Sequence, residues 1–267
     1  MTMKKIADFV MRYINSLLHC LFLFSIGIFF AKYRAILNKI NNDFEEPKKS
    51  DPQPKAIIPE IEIAKIVSDF TSIQIKEPII VNGNISLLEM IVMNKIINIY
   101  SPINLFEIGT FDGRTTLNMA ANCPKSAKVH TLDLPKENLD FTKLPIVSRD
   151  RQYIDKKFSG NVYRGTDVEH KISQLYGDSA LFDFSPFNNT MDFVFIDGSH
   201  SYEYALNDLM KAIKMLRNNR GIILWHDYNS PYWYGVTRAL NELYEKNIEF
   251  KQLAHIKGTS FACLILA

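Results

Sequence analysis

Phe106-Glu107-Ile108-Gly109-Thr110-Phe111-Asp112-Gly113-Arg114-Thr115-Thr116 is the stretch whose reading decides the fold. A mostly apolar run, Ile103 to Ile108, leads into it, interrupted by one acid, Glu107. Gly109 and Gly113 sit four residues apart, and a helical pattern runs from Thr115 to Asn122 and stops at Pro124. Strand, tight glycine turn and helix form the opening unit of a doubly wound α/β fold. The ligand of such a unit lies over the strand's carboxyl end, close to the helix N-terminus. Glycine is needed where the backbone takes a positive φ or must touch the ligand. A dinucleotide site reads G-x-G-x-x-G and offers amides to a pyrophosphate. Here the spacing is E-x-G-x-x-x-G. The leading acid repels phosphate and suits a cationic amino group.

Working outward, Lys128 to Asp133 reads as a short second strand ending in an acid, 20 residues after Gly113. That spacing suits a carboxylate that accepts hydrogen bonds from ribose hydroxyls. Leu134 to Asn161 is irregular and is read as a helix over Ser148 to Phe158 plus a cover above the ligand. Its Arg149, Arg151, Lys156 and Lys157 read first as a solvated charged face. A third strand, Ile172 to Ser179, ends in Gly177-Asp178-Ser179. A fourth, Phe193 to Ile196, is continuously apolar, as expected of a strand buried on both faces. It ends in Asp197-Gly198, with His200 in the following loop. Gly221 to Tyr228 is the fifth and again ends in an acid, Asp227, after His226. Helices are expected at Ser86 to Tyr100, with Ser86 and Glu89 at capping-box spacing, at Tyr204 to Leu216, and at Val236 to Glu245. Ile248 to His255 and Thr259 to Leu266 read as a closing hairpin turned at Lys257-Gly258.

The 267 residues have an ordinary globular balance, 47% hydrophobic and 22% charged, with a net charge of +2. Nothing in that balance argues for nucleic acid. Cys20, Cys123 and Cys263 are too far apart for a metal motif or a disulfide framework and read as buried free thiols in a reducing compartment. Tyr13 to Ala31 is 19 residues without a formal charge, close to the length that spans a bilayer. Residues 1–40 are therefore expected to carry a membrane anchor. Residues 41–60, rich in proline and charge, form a linker, and 61–267 form the catalytic domain, with a short helix at Ile61 to Phe70. The positive flank after the apolar run places that domain in the cytoplasm; without the anchor the whole chain is cytoplasmic. A homo-oligomer is left open.

Taken in order, FEIGTFDGRTTL, TLDL, YGDS, DFVFIDGSHSYE and GIILWHDY resemble the methyltransferase family 24 group of class I S-adenosylmethionine (SAM) methyltransferases. These are similar to the macrolide and aminocoumarin sugar O-methyltransferases. The resemblance covers roughly Ser86 to Ala267. It implies a Rossmann-like seven-stranded sheet with an antiparallel last strand, SAM as cofactor, and a hydroxyl on a small molecule or glycan as acceptor. It further implies that Glu107, Gly109, Thr110 and Gly113 hold the methionine end of SAM, Asp133 the ribose and Asp178 the adenine. Asp197, His200 and Asp227 then face the acceptor. Several such proteins bind Mg²⁺ through acids at the positions of Asp197 and Asp227. Here Tyr228 stands where metal-dependent relatives often carry a second acid or amide. The metal-free alternative makes Asp197 or His200 a general base. Two other readings keep the fold: a cephalosporin-hydroxylase-like enzyme, and a membrane-tethered SAM-binding protein without transfer activity.

Overall fold

Side chains on the central strands alternate between two buried faces, and that alternation sets the architecture. The computed structural model describes residues 3–30, 33, 53–67 and 72–266. It falls into two units, Met1–Pro52 and Gln53–Ala267. In the second unit, β2 (Asn104–Ile108), β5 (Phe193–Ile196) and β6 (Gly221–Trp225) run parallel side by side. Leu105, Phe193, Phe195, Ile222 and Leu224 face one apolar cluster; Phe106, Val194, Ile196, Ile223 and Trp225 face the other. Period-two alternation with both faces apolar forces a helical layer onto each side. The first cluster is closed by α3 (Leu87–Tyr100) and α4 (Arg114–Asn122), the second by α6 (Tyr202–Met215) and α7 (Tyr234–Lys246).

The sheet has eight strands, in the order β1-β7-β8-β6-β5-β2-β3-β4. β3 (Lys128–Asp133) and β4 (Ile172–Tyr176) extend it beyond β2, and β7 (Ala254–Ile256) and β8 (Ala262–Leu266) beyond β6. As expected, β8 is antiparallel to β6 and to β7, with Gly258 at φ +80° in the turn. The eighth strand is the difference from the expected seven. β1 (Glu60–Ile61) pairs in parallel with β7 and covers that edge. The chain therefore leaves the supposed linker earlier than residue 60. Ile58 is buried, and the Tyr228 hydroxyl accepts the amides of Ile57 and Ile58 at 3.0 Å each while donating to Asn241 Oδ1. Tyr228, a departure from the family pattern in sequence, is thus a packing residue. The linker's remainder, 41–52, lies outside the described residues.

Other expectations shift. The helix cap at Ser86 and Glu89 is present as a full capping box. The helix expected over Ile61 to Phe70 is the single turn α2 (Ile63–Ile66), and residues 68–71 lie outside the description. Ser148 to Phe158 is not one helix but a 3₁₀ turn, Ser148–Asp150, followed by α5 (Arg151–Ile154). Asp150 and Lys156 both turn inward, toward His200 and Asp133. Six residues on a continuous helix stand about 120° apart, so that segment must break to present both. Ile248–Gln252 is 3₁₀ rather than strand, and its neighbouring Phe250 and Leu253 are buried at the three-residue period that geometry favours.

In the first unit, α1 (Met3–Ser25) stops at a 3₁₀ turn, Gly27–Phe29. The expected span from Tyr13 to Ala31 is therefore interrupted. No helix among the described residues is long and apolar enough to cross a membrane. The charged residues Lys4, Lys5, Asp8 and Arg12 occupy its first half.

Gly109 ties the fold to the site. Its φ is +101°, and a Cβ there would lie 2.0 Å from the Asp197 carbonyl oxygen. Gly109→Ala should destabilise the domain by roughly 3 kcal/mol or more, because both the left-handed backbone and the backbone collision oppose it. Chemical denaturation of the variant checks this; a stability within 1 kcal/mol of the wild type (about a fivefold change in the folding constant) would contradict it.

Candidate active site

The chain runs β2, β3, β4 in one direction across the sheet and then returns to the other side of β2 with β5 and β6. The reversal between β2 and β5 leaves a crevice at the strands' carboxyl ends, where ligands of open α/β sheets bind. A cavity of about 470 Å³ opens there. The ladder continues past the formal strand ends and fixes its rim: Gly109 N donates to Leu132 O, Asp197 N to Ile108 O, and His226 N to Ile196 O, at 2.8 to 3.0 Å.

Gly109, Asp133, Asp178, Asp197, His200 and Asp227 all line this cavity. Glu107, Thr110 and Gly113 do not. Glu107 is fully buried beneath the floor, where its Oε2 accepts from the hydroxyls of Thr116 and Thr131 and its Oε1 has no hydrogen-bond partner among the described residues. Burial pushes its pKa up to about 8, with the two threonine hydrogen bonds offsetting only part of the effect. Thr110 bonds Thr131 and Gln174. Gly113, at φ +88°, caps α4 and leaves room for the Tyr163 ring and Gly160. These three residues shape the turn from below.

The two acids on the β3 and β4 side already have partners. Asp133 Oδ2 takes the Lys156 ammonium at 2.7 Å and the Ser159 hydroxyl. Asp178 accepts from the amides of Lys143 and Ala180 and from the Tyr204 hydroxyl at 2.7 to 2.8 Å. Two of those donors, Lys143 and Lys156, belong to the cover segment. Lys156, read in sequence as part of a solvated face, is instead inside.

On the β5 and β6 side, carboxylates and imidazoles alternate. His226 Nδ1 is 3.0 Å from Asp197 Oδ1 and 3.1 Å from Asp227 Oδ2, and its Nε2 is 3.5 Å from Glu89. His200 Nε2 is 2.9 Å from Asp227 Oδ2 and its Nδ1 is 2.6 Å from Asp150 Oδ1. The Trp233 ring stacks on His200 at 4.0 Å. Burial works against the His200 imidazolium, but the hydrogen bonds and charges of Asp150 and Asp227 outweigh it and push its pKa up to about 10. His226 is likewise raised, by Asp197 and Asp227 against burial. Asp227 and Glu89 are held well below the usual carboxylate range: burial opposes ionisation, but the imidazoles overcome it. Both His200 nitrogens are thus committed to carboxylates. Asp227 itself sits at φ +64°, a strained left-handed turn for a non-glycine residue.

Sequence reasoning missed Asp150, Glu89, Trp233 and Phe111. Asp150 lies in the charged run and is buried, bonding Ser199 and His200. Glu89 already had a sufficient role as a helix cap; Ser260 and His226 were unforeseeable partners. Phe111, at φ +49°, meets Tyr153 edge-on at 5.8 Å in the cavity wall. Its place inside the glycine turn was the one available signal.

Comparison with known proteins places this geometry. Residues 106–228 match the family model described as a methyltransferase domain. The methyltransferase fold is also seen in two solved structures, each with a TM-score of 0.50. One is the S-adenosylhomocysteine (SAH)-bound methyltransferase PaMTH1 of Podospora anserina, 16% identical over 70% of this chain and 81% of that one. The other is cofactor-bound Rv0187 from MTB, 14% identical over 70% and 83%. An uncharacterized protein, R132, of Acanthamoeba polyphaga mimivirus is 29% identical over 128 residues, 48% of this chain. The match spans about half that relative's length, 52%. The sites described above fall inside or beside the matched methyltransferase segment.

Glu107 offers a direct test of its buried role. A carboxyl raised from 4.5 to about 8 keeps a proton in the folded state that the unfolded chain releases. Stability then falls as pH rises through that window. Glu107→Gln, neutral at every pH, should flatten the decline in thermal stability between pH 5 and 8 and leave SAH affinity within a few-fold of the wild type. Parallel melting curves and calorimetry check both; loss of SAH binding with unchanged pH dependence would restore Glu107 to the ligand.

Proposed function

We propose that the domain transfers the methyl group of SAM to a hydroxyl of a small-molecule or glycan acceptor. The observation that carries this reading is the single cavity joining Gly109, Asp133 and Asp178 on one side to Asp197, His226 and Asp227 on the other. Its volume of about 470 Å³ is that of a small-molecule site. SAM bears an ammonium and a sulfonium, and a rim of carboxylates suits both. The ribose hydroxyls would share Asp133 with Lys156 or displace it. The adenine amino group would find one remaining lone pair on Asp178, since a carboxylate offers about four acceptor sites and three are taken.

Transfer is an in-line displacement. The acceptor oxygen forms a bond to the methyl carbon, the carbon–sulfur bond breaks, its electron pair returns to sulfur, and SAH leaves as a neutral thioether. The acceptor proton must go to a base. Asp197 fits that role better than His200, whose two nitrogens are already engaged. His226 holds Asp197 Oδ1 in place. Trp233 and Tyr153 supply an aromatic wall for the acceptor. Positioning of this kind supplies much of the rate of such a step.

The expected Mg²⁺ is a poor fit. Asp197, His226 and Asp227 each offer one donor atom, all within 4.8 Å of one another. Two carboxylates and an imidazole suit a first-row transition metal, whereas Mg²⁺ prefers oxygen donors and retained waters. That cluster is nevertheless the observation that favours a metal-assisted second reading.

Calorimetry should show SAH binding and no response to NADP; the reverse would remove the SAM reading. With an acceptor in hand, Asp197→Asn should lower kcat by about 100-fold or more, the range of general-base catalysis, with little change in SAH affinity. Activity that survives chelation supports Asp197 as base. Activity lost to a chelator and restored by Mn²⁺ or Co²⁺, but not by Mg²⁺, supports the second reading.

A further inference from the structure

The helix α1 obeys a pattern that neither the catalytic domain nor helix stability explains. Arg12, Asn15, Ser16 and His19 recur at three- and four-residue steps. At 100° per residue they fall within roughly a third of the helix circumference. From Tyr13 to Phe24 the rest of the circumference is apolar. Ile14, Leu17, Leu18, Leu21 and Phe24 are all exposed, with Leu17 at 53%, Leu21 at 61% and Phe24 at 58%. An uncovered apolar face this long is unfavourable in water and marks an interaction surface.

Three observations say what covers it. First, length excludes a span. The uncharged part of α1, Tyr13 to Ser25, is 13 residues, about 20 Å at 1.5 Å per residue against roughly 30 Å of hydrocarbon. The chain then breaks at Gly27. Second, charge selects the partner. Lys4 and Lys5 stand in the first turn, which has no acidic residue. Cations there oppose the helix dipole and cost stability in water. Anionic headgroups at that end would offset this cost. Third, the far end carries an aromatic cluster: Tyr33 meets Phe22 edge-on at 5.4 Å and Phe30 at 6.2 Å. Aromatic side chains of this kind settle at the headgroup level.

We infer that α1 is an in-plane anchor that lays its apolar face into one leaflet of an anionic membrane. This inference is independent of the methyl-transfer reading. Its polar stripe, with Arg12 and His19, faces water and headgroups. Binding combines buried apolar area with attraction to anionic lipid.

The full-length protein should be mixed with phosphatidylcholine vesicles, with and without phosphatidylglycerol, and sedimented. Expected is binding to the anionic vesicles, reversed by high salt or alkaline carbonate. Arg12→Glu should weaken it about tenfold through charge alone, and Leu17→Glu with Leu21→Glu should abolish it while the domain's melting temperature stays unchanged. Equal binding to both vesicle types, or none to either, would overturn the inference. Retention after carbonate would mean a span instead. A dimer in light scattering that is lost in the Leu17→Glu, Leu21→Glu variant, without vesicle binding, would assign the face to a second copy of the chain.

Discussion

The approach of the Gly109 backbone to the Asp197 carbonyl sets the rest of the domain. Two parallel strands of opposite winding direction, β2 and β5, end side by side, and their loops must diverge without a side chain between them. A glycine at positive φ lets the first loop turn away at the point where any Cβ would meet the carbonyl. The reversal of strand order opens the crevice, and that turn keeps its floor clear of a side chain. A constraint that reads in sequence as a ligand's requirement is in this chain first a requirement of strand packing.

Around the crevice, charge is balanced by internal pairing. Glu89, His226, Asp197, Asp227, His200 and Asp150 form a run in which every imidazole touches at least two carboxylates. Burying an isolated carboxylate is costly, and pairing it with an imidazolium in a partly desolvated site recovers much of that cost. The arrangement holds Asp227 and Glu89 ionised and orients the run. It also takes both nitrogens of His200 out of use as a base. A rim of carboxyl groups is well suited to a cationic cofactor.

The segment over the cavity contributes more than a lid. Asp150 reaches down to His200, Lys156 to Asp133, and the Lys143 amide to Asp178. Gly160 and Val162 donate their amides to Phe111 and Asp112 of the glycine turn. Asp133 and Asp178 therefore each take one partner from the cover, and His200 takes Asp150.

The sequence by itself determined the strand–turn–helix opening, the parallel core and the antiparallel last strand. Period-two apolar runs, glycine spacing and a capping box are local patterns with local causes. It also located Asp133, Asp178, Asp197 and Asp227, because a strand ending in an acid is visible in a linear string. Only the tertiary structure decided which residues reach the cavity. Glu107 has the right spacing but lies under the floor, since strand alternation points it into the layer beneath. Asp150 and Lys156 look like surface charge until the cover folds back. Glu89 meets His226 only because β6 and the start of α3 converge. Tyr228 was a departure in sequence and became the clamp on Ile57 and Ile58. Contacts between segments distant in the chain leave no periodicity to read, because each partner satisfies its own local rule. The uncharged run at Tyr13 was long enough for a span by count, but a helix must also stay continuous, and the break at Gly27 settled that.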